Sequence, residues 1–527
     1  MVLVMTGLAT TVFLASLDST IVTTALPTIT EHLHGTASDY SWTGAYSTQL
    51  LCSGAFIPLW GPLSDVVGRK LILYPSIALF LLGSGLCGAA TSMSFLIGCR
   101  ALQGVGEGGI IVMVQVVLTD IVSLQDRGKY GSVIGGCWGI ASILGPVLGG
   151  VLTERLSWRW IFWINLPTGG LATLLLMFCL NLNPTRKLTF KEFLQNFDFL
   201  GVYVLRKVSA DVNSRHAHRS LLMTGNSRST IGLLVVGPVL LLLAGIVESR
   251  TTRMAIIPPR LFRTRTTLSL FGLAFLHAIG FMCANFYLPV MFQGVNGDSP
   301  LISGVKLFPV ALGGSVATVI VGLIVTATKR TRPFIWSGTA LMTLGAGLLI
   351  TLSEKSSLGQ EMGFSLIEGV GIGFLFQPPL IALQAAMPLK DMAACTGAFY
   401  LVRTLGCTLG ISLGGVAFQS QLAIRLRAIP ALTGTSAEAS ILQGNYKDIK
   451  LLLPAELRQQ VIVALSRSLR TIYIMLAPLA GTTFLLSLLV RHYSLERNFV
   501  QKTRPEEAAP QIAADEKGGE VGETKSV

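Results

Sequence analysis

The chain alternates long apolar runs with short polar breaks. Thirteen runs come close to the roughly 20 residues that a helix needs to cross a bilayer core of about 30 Å. They cover 3–26, 44–63, 71–90, 95–118, 130–152, 160–180, 231–247, 267–292, 302–326, 333–352, 361–383, 393–416 and 471–490. Each run is continuously apolar rather than alternating, which predicts helices and excludes a β-barrel. A helix in lipid satisfies its own backbone N–H and C=O groups. The first run holds Asp18 and Pro27 and shows no small-residue cleavage site, so it reads as a span and not as a signal peptide. The chain begins almost at that span, and a missing cytoplasmic leader is an open alternative.

Composition supports a lipid environment. Of 527 residues, 51% are hydrophobic and only 13% charged, against about 25% charged in soluble proteins. A water-soluble fold cannot hide that much apolar surface behind so few charges. The net charge of +13 invites a nucleic-acid reading, but the basic residues do not form one patch. Arg69 and Lys70, Arg127 and Lys129, Arg186, Lys187 and Lys191, the five arginines from Arg250 to Arg265, Lys329 to Arg332 and Lys390 fall in one set of loops. The other set holds only Arg155, Arg159 and Lys355. The positive-inside rule places the first set in the cytoplasm. A multi-pass plasma-membrane protein with both termini cytoplasmic is expected, a vacuolar membrane being the lesser alternative. The expected partners are the lipid bilayer, a small-molecule substrate and protons, with no nucleic acid, and the expected state is a monomer. The eight cysteines lie in or beside the spans without a Cys-x-x-Cys pair. They read as small core residues, with no disulfide or metal role.

One region breaks the alternation. The loops at 183–197 and 248–265 are both basic, so an even number of spans must separate them, yet only 231–247 is a good span. The other candidate, 198–222, begins apolar and then meets Arg206, Lys207, Asp211, Arg215 and Arg219. A charge at a span's centre costs about 2.5–3.5 kcal/mol on insertion scales, so this segment does not span as written. A translated, unspliced intron over 206–230 would produce this composition, and sequencing the transcript across those codons tests it. A genuine polar loop is the alternative. The expected organisation is six spans over 1–182, a linker over 183–265 with one clear and one doubtful extra span, and six spans over 266–493. The last group contains a long external loop, 417–470, part of which (454–470) has the stripe of an amphipathic helix. A disordered cytoplasmic tail follows at 494–527.

Several segments carry chemistry. After span two comes Gly61-Pro-Leu-Ser-Asp65-Val-Val-Gly68-Arg69-Lys70, a tight turn with a carboxylate beside two cations. Span four reads Arg100-Ala-Leu-Gln103-Gly104-Val-Gly106-Glu107-Gly108-Gly109. Its GxGxxG lacks the strand and βαβ unit of a dinucleotide site, so the glycines read as close helix packing. Arg100 and Glu107 are two turns apart and share a face. Span five ends in Gly145-Pro146-Val-Leu-Gly149-Gly150, a run that kinks a helix and admits a close neighbour. Asp18 lies deep in span one, Asn165 opens span six, and Arg403 lies on the run 393–416. His277 and Glu368 read as interior or helix-end residues. Asn285, Gln377, Gln384 and Trp138 are candidates to line a pocket.

These motifs resemble those of the major facilitator superfamily: the signature loop in 61–70, the Arg and Gln of the fourth span, and the Gly-Pro antiporter motif of the fifth. Val66 stands where the signature loop usually has a basic residue, and Glu107 where a small residue is usual. Together with Leu17–Pro27, Trp158–Gly169 and Tyr287–Pro309, they resemble the fourteen-span drug:proton antiporters in their fungal form. The resemblance implies an all-α major facilitator fold: two six-helix bundles with two helices between them, the first of these degraded or absent here. It further implies that residues 61–70 form a cytoplasmic gate and that the fifth-span motif marks an exporter.

No Gly-x4-Gly-Lys-[Ser/Thr] loop is present, so the energy is expected from an ion gradient, with no cofactor. The expected activity is proton-coupled efflux of drugs, toxins or secondary metabolites by alternating access, with no enzymatic function. Asp18, Glu107 and Arg100 are the proton-coupling candidates, and Arg403, Asn285 and Gln377 the cavity candidates. An amino-acid or siderophore transporter of the same superfamily is the alternative, as is a non-transporting remnant because of the insert at 206–230.

Overall fold

A computed structural model describes residues 1–33, 45–180, 259–298, 300–388, 391–442, 449 and 454–495. The doubtful span, the polar insert at 206–230 and the span at 231–247 lie outside the described residues, as does nearly all of the tail. The described chain is helical, without a strand. Ten helices are long and apolar enough to cross a membrane, or eleven with a bent pair counted as one span.

The N-terminal half is built from α1 (Val2–His32), α2 (Ala45–Val67), α3 (Arg69–Gly88), α4 (Met93–Ile121), α5 (Arg127–Arg155) and a sixth span in two pieces, α6 (Trp160–Trp163) and α7 (Asn165–Cys179). The bent pair is α2, which turns by 47° between Ile57 and Leu59. Pro58 falls at that break in the sequence, and a proline has no N–H with which to continue the helical ladder. The glycine run of α4 is packing surface, as the sequence predicted. A Cβ on Gly104 would strike the Gln49 carbonyl of α2, and one on Gly106 the backbone of Ser76 and Phe80 in α3. The backbones of three helices approach closely only because these side chains are absent.

The C-terminal half contains α8 (Arg265–Gly294), α9 (Pro300–Lys306) with α10 (Phe308–Thr328), α11 (Arg332–Leu349), α12 (Leu358–Phe374) with α13 (Pro378–Ala385), α14 (Met392–Arg427), the short α15 (Ser436–Leu442) and α16 (Ala455–Leu488). Ser357 and Gln360 form a reciprocal capping box at the start of α12. The span expected at 361–383 is interrupted at Leu375–Gln377, just before Pro378 and Pro379. Neighbouring side chains satisfy backbone carbonyls at the break. Thr318 Oγ1 donates to the Gly373 carbonyl at 2.9 Å, and a ring nitrogen of His277 lies 3.2 Å from that of Ile372.

Segment 417–470 departs from the expected loop. α14 runs on to Arg427, and α16 begins at Ala455, so the predicted amphipathic stretch is continuous with the last span. No Gly or Pro interrupts 455–470, and its stripe is covered: Val461 and Leu465 are fully buried and share a core with Leu422 and Leu426 of α14. Packing, not hydropathy, sets the length of both helices.

The halves meet along two pairs, α5 against α10 and α2 against α14. Small residues permit both contacts. A Cβ on Gly139 would collide with Ser315, one on Gly322 with Ser132 and the Gly128 carbonyl, and one on Gly54 would lie 2.9 Å from Thr404.

Candidate functional site

The N-terminal half encloses a polar cluster in an otherwise apolar bundle. Asp18 of α1 is completely buried and accepts hydrogen bonds from four N–H donors. Arg100 Nη1 (2.6 Å) and Gln49 Nε2 (3.0 Å) donate to Oδ2, and Gln103 Nε2 (2.8 Å) and Asn165 Nδ2 (2.9 Å) donate to Oδ1. Four helices thus converge on one carboxylate: α1, α2, α4 through two residues, and α7 at its first residue. Arg100 is also fully buried. It donates to Gln103 Oε1 at 2.8 Å and lies 5.5 Å from the centre of the Phe162 ring. Its Nε and Nη2 have no hydrogen-bond partner.

Glu107 joins this cluster through Gln49. The same Gln49 Nε2 that donates to Asp18 donates to Glu107 Oε2 at 2.9 Å. Ser19 Oγ lies 2.7 Å from Glu107 Oε1 and 3.1 Å from the Ala15 carbonyl. The shared face predicted for Arg100 and Glu107 therefore exists, but their link passes through Asp18 and Gln49, with no direct ion pair between them.

The loop at 61–70 forms a compact charged knot. Gly68 has φ of 112°, a conformation that strains any other residue. This turn brings Arg69 Nη1 to Asp65 Oδ1 at 2.5 Å, and Arg69 Nε donates to Asp120 Oδ2 at 2.8 Å. Ser64 Oγ accepts from Arg69 at 2.7 Å and donates to the Gly61 carbonyl at 2.6 Å. Asp120, at the end of α4, closes the knot. A Cβ on Gly61 would lie 2.8 Å from the Ala393 carbonyl, so the knot rests against the start of α14 in the other half. Among the described residues no carboxylate pairs with Lys70. Replacing Arg69 with Ala is expected to loosen this end of the bundle. Thiol labelling of a cysteine placed at Ala393 should then rise several-fold, and an unchanged rate would remove the knot's role in closure.

Other ties cross between the halves at the same end. Buried Arg127 donates to Gln384 Oε1 (3.1 Å) while Nη2 holds the Thr119 carbonyl at 2.8 Å. Gln377 Nε2 donates to the Gly131 carbonyl at 2.8 Å. The Lys129 amide donates to Thr326 Oγ1 at 2.8 Å. Gln377, expected in the cavity, is thus an interface tie and does not line it.

The cavity itself lies between the halves. Trp138, Gly139 and Ser142 of α5, Phe281 and Asn285 of α8, Ser315 and Thr318 of α10, and Phe376 in the helix break line it. Its volume is about 30 Å³, room for a water or two and too little for an organic ring. Asn285 and Trp138 are among the residues that line it. Arg403 does not line it directly but stacks 4.1 Å from the centre of the Phe376 ring.

The fifth-span motif acts through one glycine. A Cβ on Gly145 would strike Thr20, two residues beyond Asp18, and Thr20 Oγ1 donates to the Ala141 carbonyl at 3.1 Å. Gly149 is buried, Gly150 faces open space, and α5 remains helical through Pro146. Sequence reasoning gave no role to Gln49 or Asp120, and to Arg127 only that of a cytoplasmic loop charge. Gln49 was detectable as an amide inside an apolar run. The other two sit at helix ends, where a charge is unremarkable until its partner is placed.

Long apolar helices, a small cavity between two helical halves and a buried ionic cluster are the features of a multi-pass membrane transporter. The Major Facilitator Superfamily profile matches residues 8–411, and the chain belongs to that superfamily. It is 39% identical over 508 residues to an MFS-type transporter of Schizosaccharomyces pombe, covering 95% of this chain and 83% of that protein. It is 37% identical to the MFS-type efflux pump LUC4 of Fusarium sp (84% and 78% covered) and 33% identical to the efflux pump FUS6 of Gibberella fujikuroi (94% and 89% covered). The crystal structure of the human organic anion transporter MFSD10 superposes with a TM-score of 0.60 at 14% identity, covering 92% of this chain and 99% of that one. That likeness establishes the fold alone.

Proposed function

We propose that this protein exports small organic compounds across the plasma membrane, in exchange for protons that bind at the Asp18–Glu107 pair. The observation that carries this reading is the amide of Gln49, which donates to both carboxylates at once. One buried guanidinium stands beside two carboxylates, which leaves one negative charge too many. An uncompensated charge is costly in this environment, and one proton balances it. Asp18 pairs with Arg100 and already receives four N–H donors, which occupy both its oxygens. Glu107 takes the proton: Ser19 can donate to the Ala15 carbonyl and accept from a protonated Glu107. Rocking of the halves exposes Glu107 to one side and then the other, and the charge knot at 61–70 secures the cytoplasmic side when closed.

The relatives named as efflux pumps support the direction of transport. Protein reconstituted in sealed vesicles with an imposed pH gradient is expected to move at least one of three radiolabelled probes: 2-naphthalenesulfonate, 2-naphthalenesulfonamide and N-methylquinolinium. Collapse of the gradient should stop net movement. Equal flux with and without the gradient for all three probes would overturn proton coupling.

A further inference from the structure

We propose that the central cavity accommodates aromatic organic anions, with Arg403 supplying the counter-charge. This deepens the exporter reading by naming the substrate class of its cavity. Two independent features of the C-terminal half carry it.

The first is the charge pattern. Arg403 sits on α14, eleven residues and about 16 Å from its start. It is only partly covered. No carboxylate among the described residues pairs with it. Asp18 is held by its four donors in the other half, and Glu368, the buried acid of α12, packs against Gly345 of α11. What Arg403 touches is a ring, the face of Phe376. A permanent cation in a bundle interior is costly unless it pairs or faces a water-filled or ligand-filled space. Asp65, Asp391 and Glu361 each have a basic partner in this structure. Arg403 has none, and an arriving anion supplies it.

The second is the wall itself. Phe376 stands in the break between α12 and α13, where backbone leaves the helical path at mid-span. Irregular backbone at this depth occurs where it lines a cavity, and such discontinuous helices mark substrate sites in transporters. Around the break, Trp138 and Phe281 lie with ring centres 5.2 Å apart, Trp138 and Phe376 5.7 Å apart, and Phe281 and Phe376 5.4 Å apart at 89°. His277 adds an edge-on contact to Phe376 at 5.8 Å. Three aromatic rings drawn from both halves pack against one another at the cavity, surfaces that suit a flat apolar ring once they part, and the guanidinium behind Phe376 is placed for an acidic substituent. The cavity as it stands is too small for such a ring, so binding requires the halves to part and Phe376 to turn, which uncovers Arg403.

The test separates charge from shape. The three naphthalene-sized probes are titrated against purified protein in detergent by radioligand filtration, without any gradient. The sulfonate is expected to bind about tenfold or more tightly than the sulfonamide or the cation, the scale of one charge-assisted hydrogen bond. Arg403→Gln should erase that preference while leaving sulfonamide binding within about twofold, and Arg403→Lys should restore part of it. Retained sulfonamide binding by Arg403→Gln shows that the variant folds. If that variant fails to fold, the wild-type preference and Arg403→Lys decide alone. Equal affinity for the three wild-type probes, tighter binding of the cation, or no binding of the sulfonate overturns the proposal. Binding is independent of the pH gradient, so loss of proton-driven flux with the sulfonate preference intact would count against the exporter mechanism and not against this site.

Discussion

Glu107→Gln is expected to reduce gradient-driven flux to that of protein-free vesicles while leaving probe exchange in the absence of a gradient nearly intact. The glutamine has the shape of a protonated glutamate and can keep neutral contacts with Gln49 and Ser19. It therefore mimics the loaded state permanently: the halves still rock and probe still crosses, but no proton is released. Both fluxes are measured on one preparation. Normal proton-driven flux in this variant would remove Glu107 from the mechanism. Loss of both fluxes would show that the residue serves rocking and not coupling. The prediction is specific to Glu107 because Asp18 has no free valence for a proton while its two oxygens accept four N–H donors.

The second large effect concerns stability. Asp18→Ala should destabilise the N-terminal half by about 3–5 kcal/mol, the usual cost of stripping one partner from a buried ion pair. Arg100 would then be left fully buried without an anion, and the donors of Gln103 and Asn165 would also lose their acceptor. Unfolding in detergent can be followed by labelling of the cysteines, since Cys87, Cys99, Cys283 and Cys395 are buried and free. Cys87 reports on the cluster directly, because its thiol donates to Gln103 Oε1 at 3.6 Å. The double variant Asp18→Asn with Arg100→Gln should recover part of the loss, as neighbouring sites in one network are not additive. A single Asp18→Ala variant as stable as the wild type would show that water or another anion already satisfies Arg100.

Much of this molecule was legible in its sequence, because lipid constrains a chain more severely than water does. Apolar runs of span length, glycines that cannot serve a dinucleotide and a polar residue stranded in a span each have few physical solutions. That logic located the described spans, the packing role of Gly104 and Gly106, and the acidic and basic residues of the cluster. It misjudged helix ends where polar residues continue a helix, as over 455–470, because amphipathic packing against α14 leaves no mark in mean hydropathy.

The sequence by itself determined the lipid-immersed helical class, the position of the described spans and which ionisable groups lie within them. Each follows from local quantities: run length, residue type and the cost of a bare charge in hydrocarbon. Only the tertiary structure decided who partners whom. It placed Gln49 between two carboxylates, Asp120 on Arg69, Gln377 across the interface instead of in the cavity, and Arg403 on an aromatic ring with no acid beside it among the described residues. Those outcomes depend on how helices distant in the chain are turned toward one another, and that rotation is set by close packing over whole interfaces rather than by any one segment.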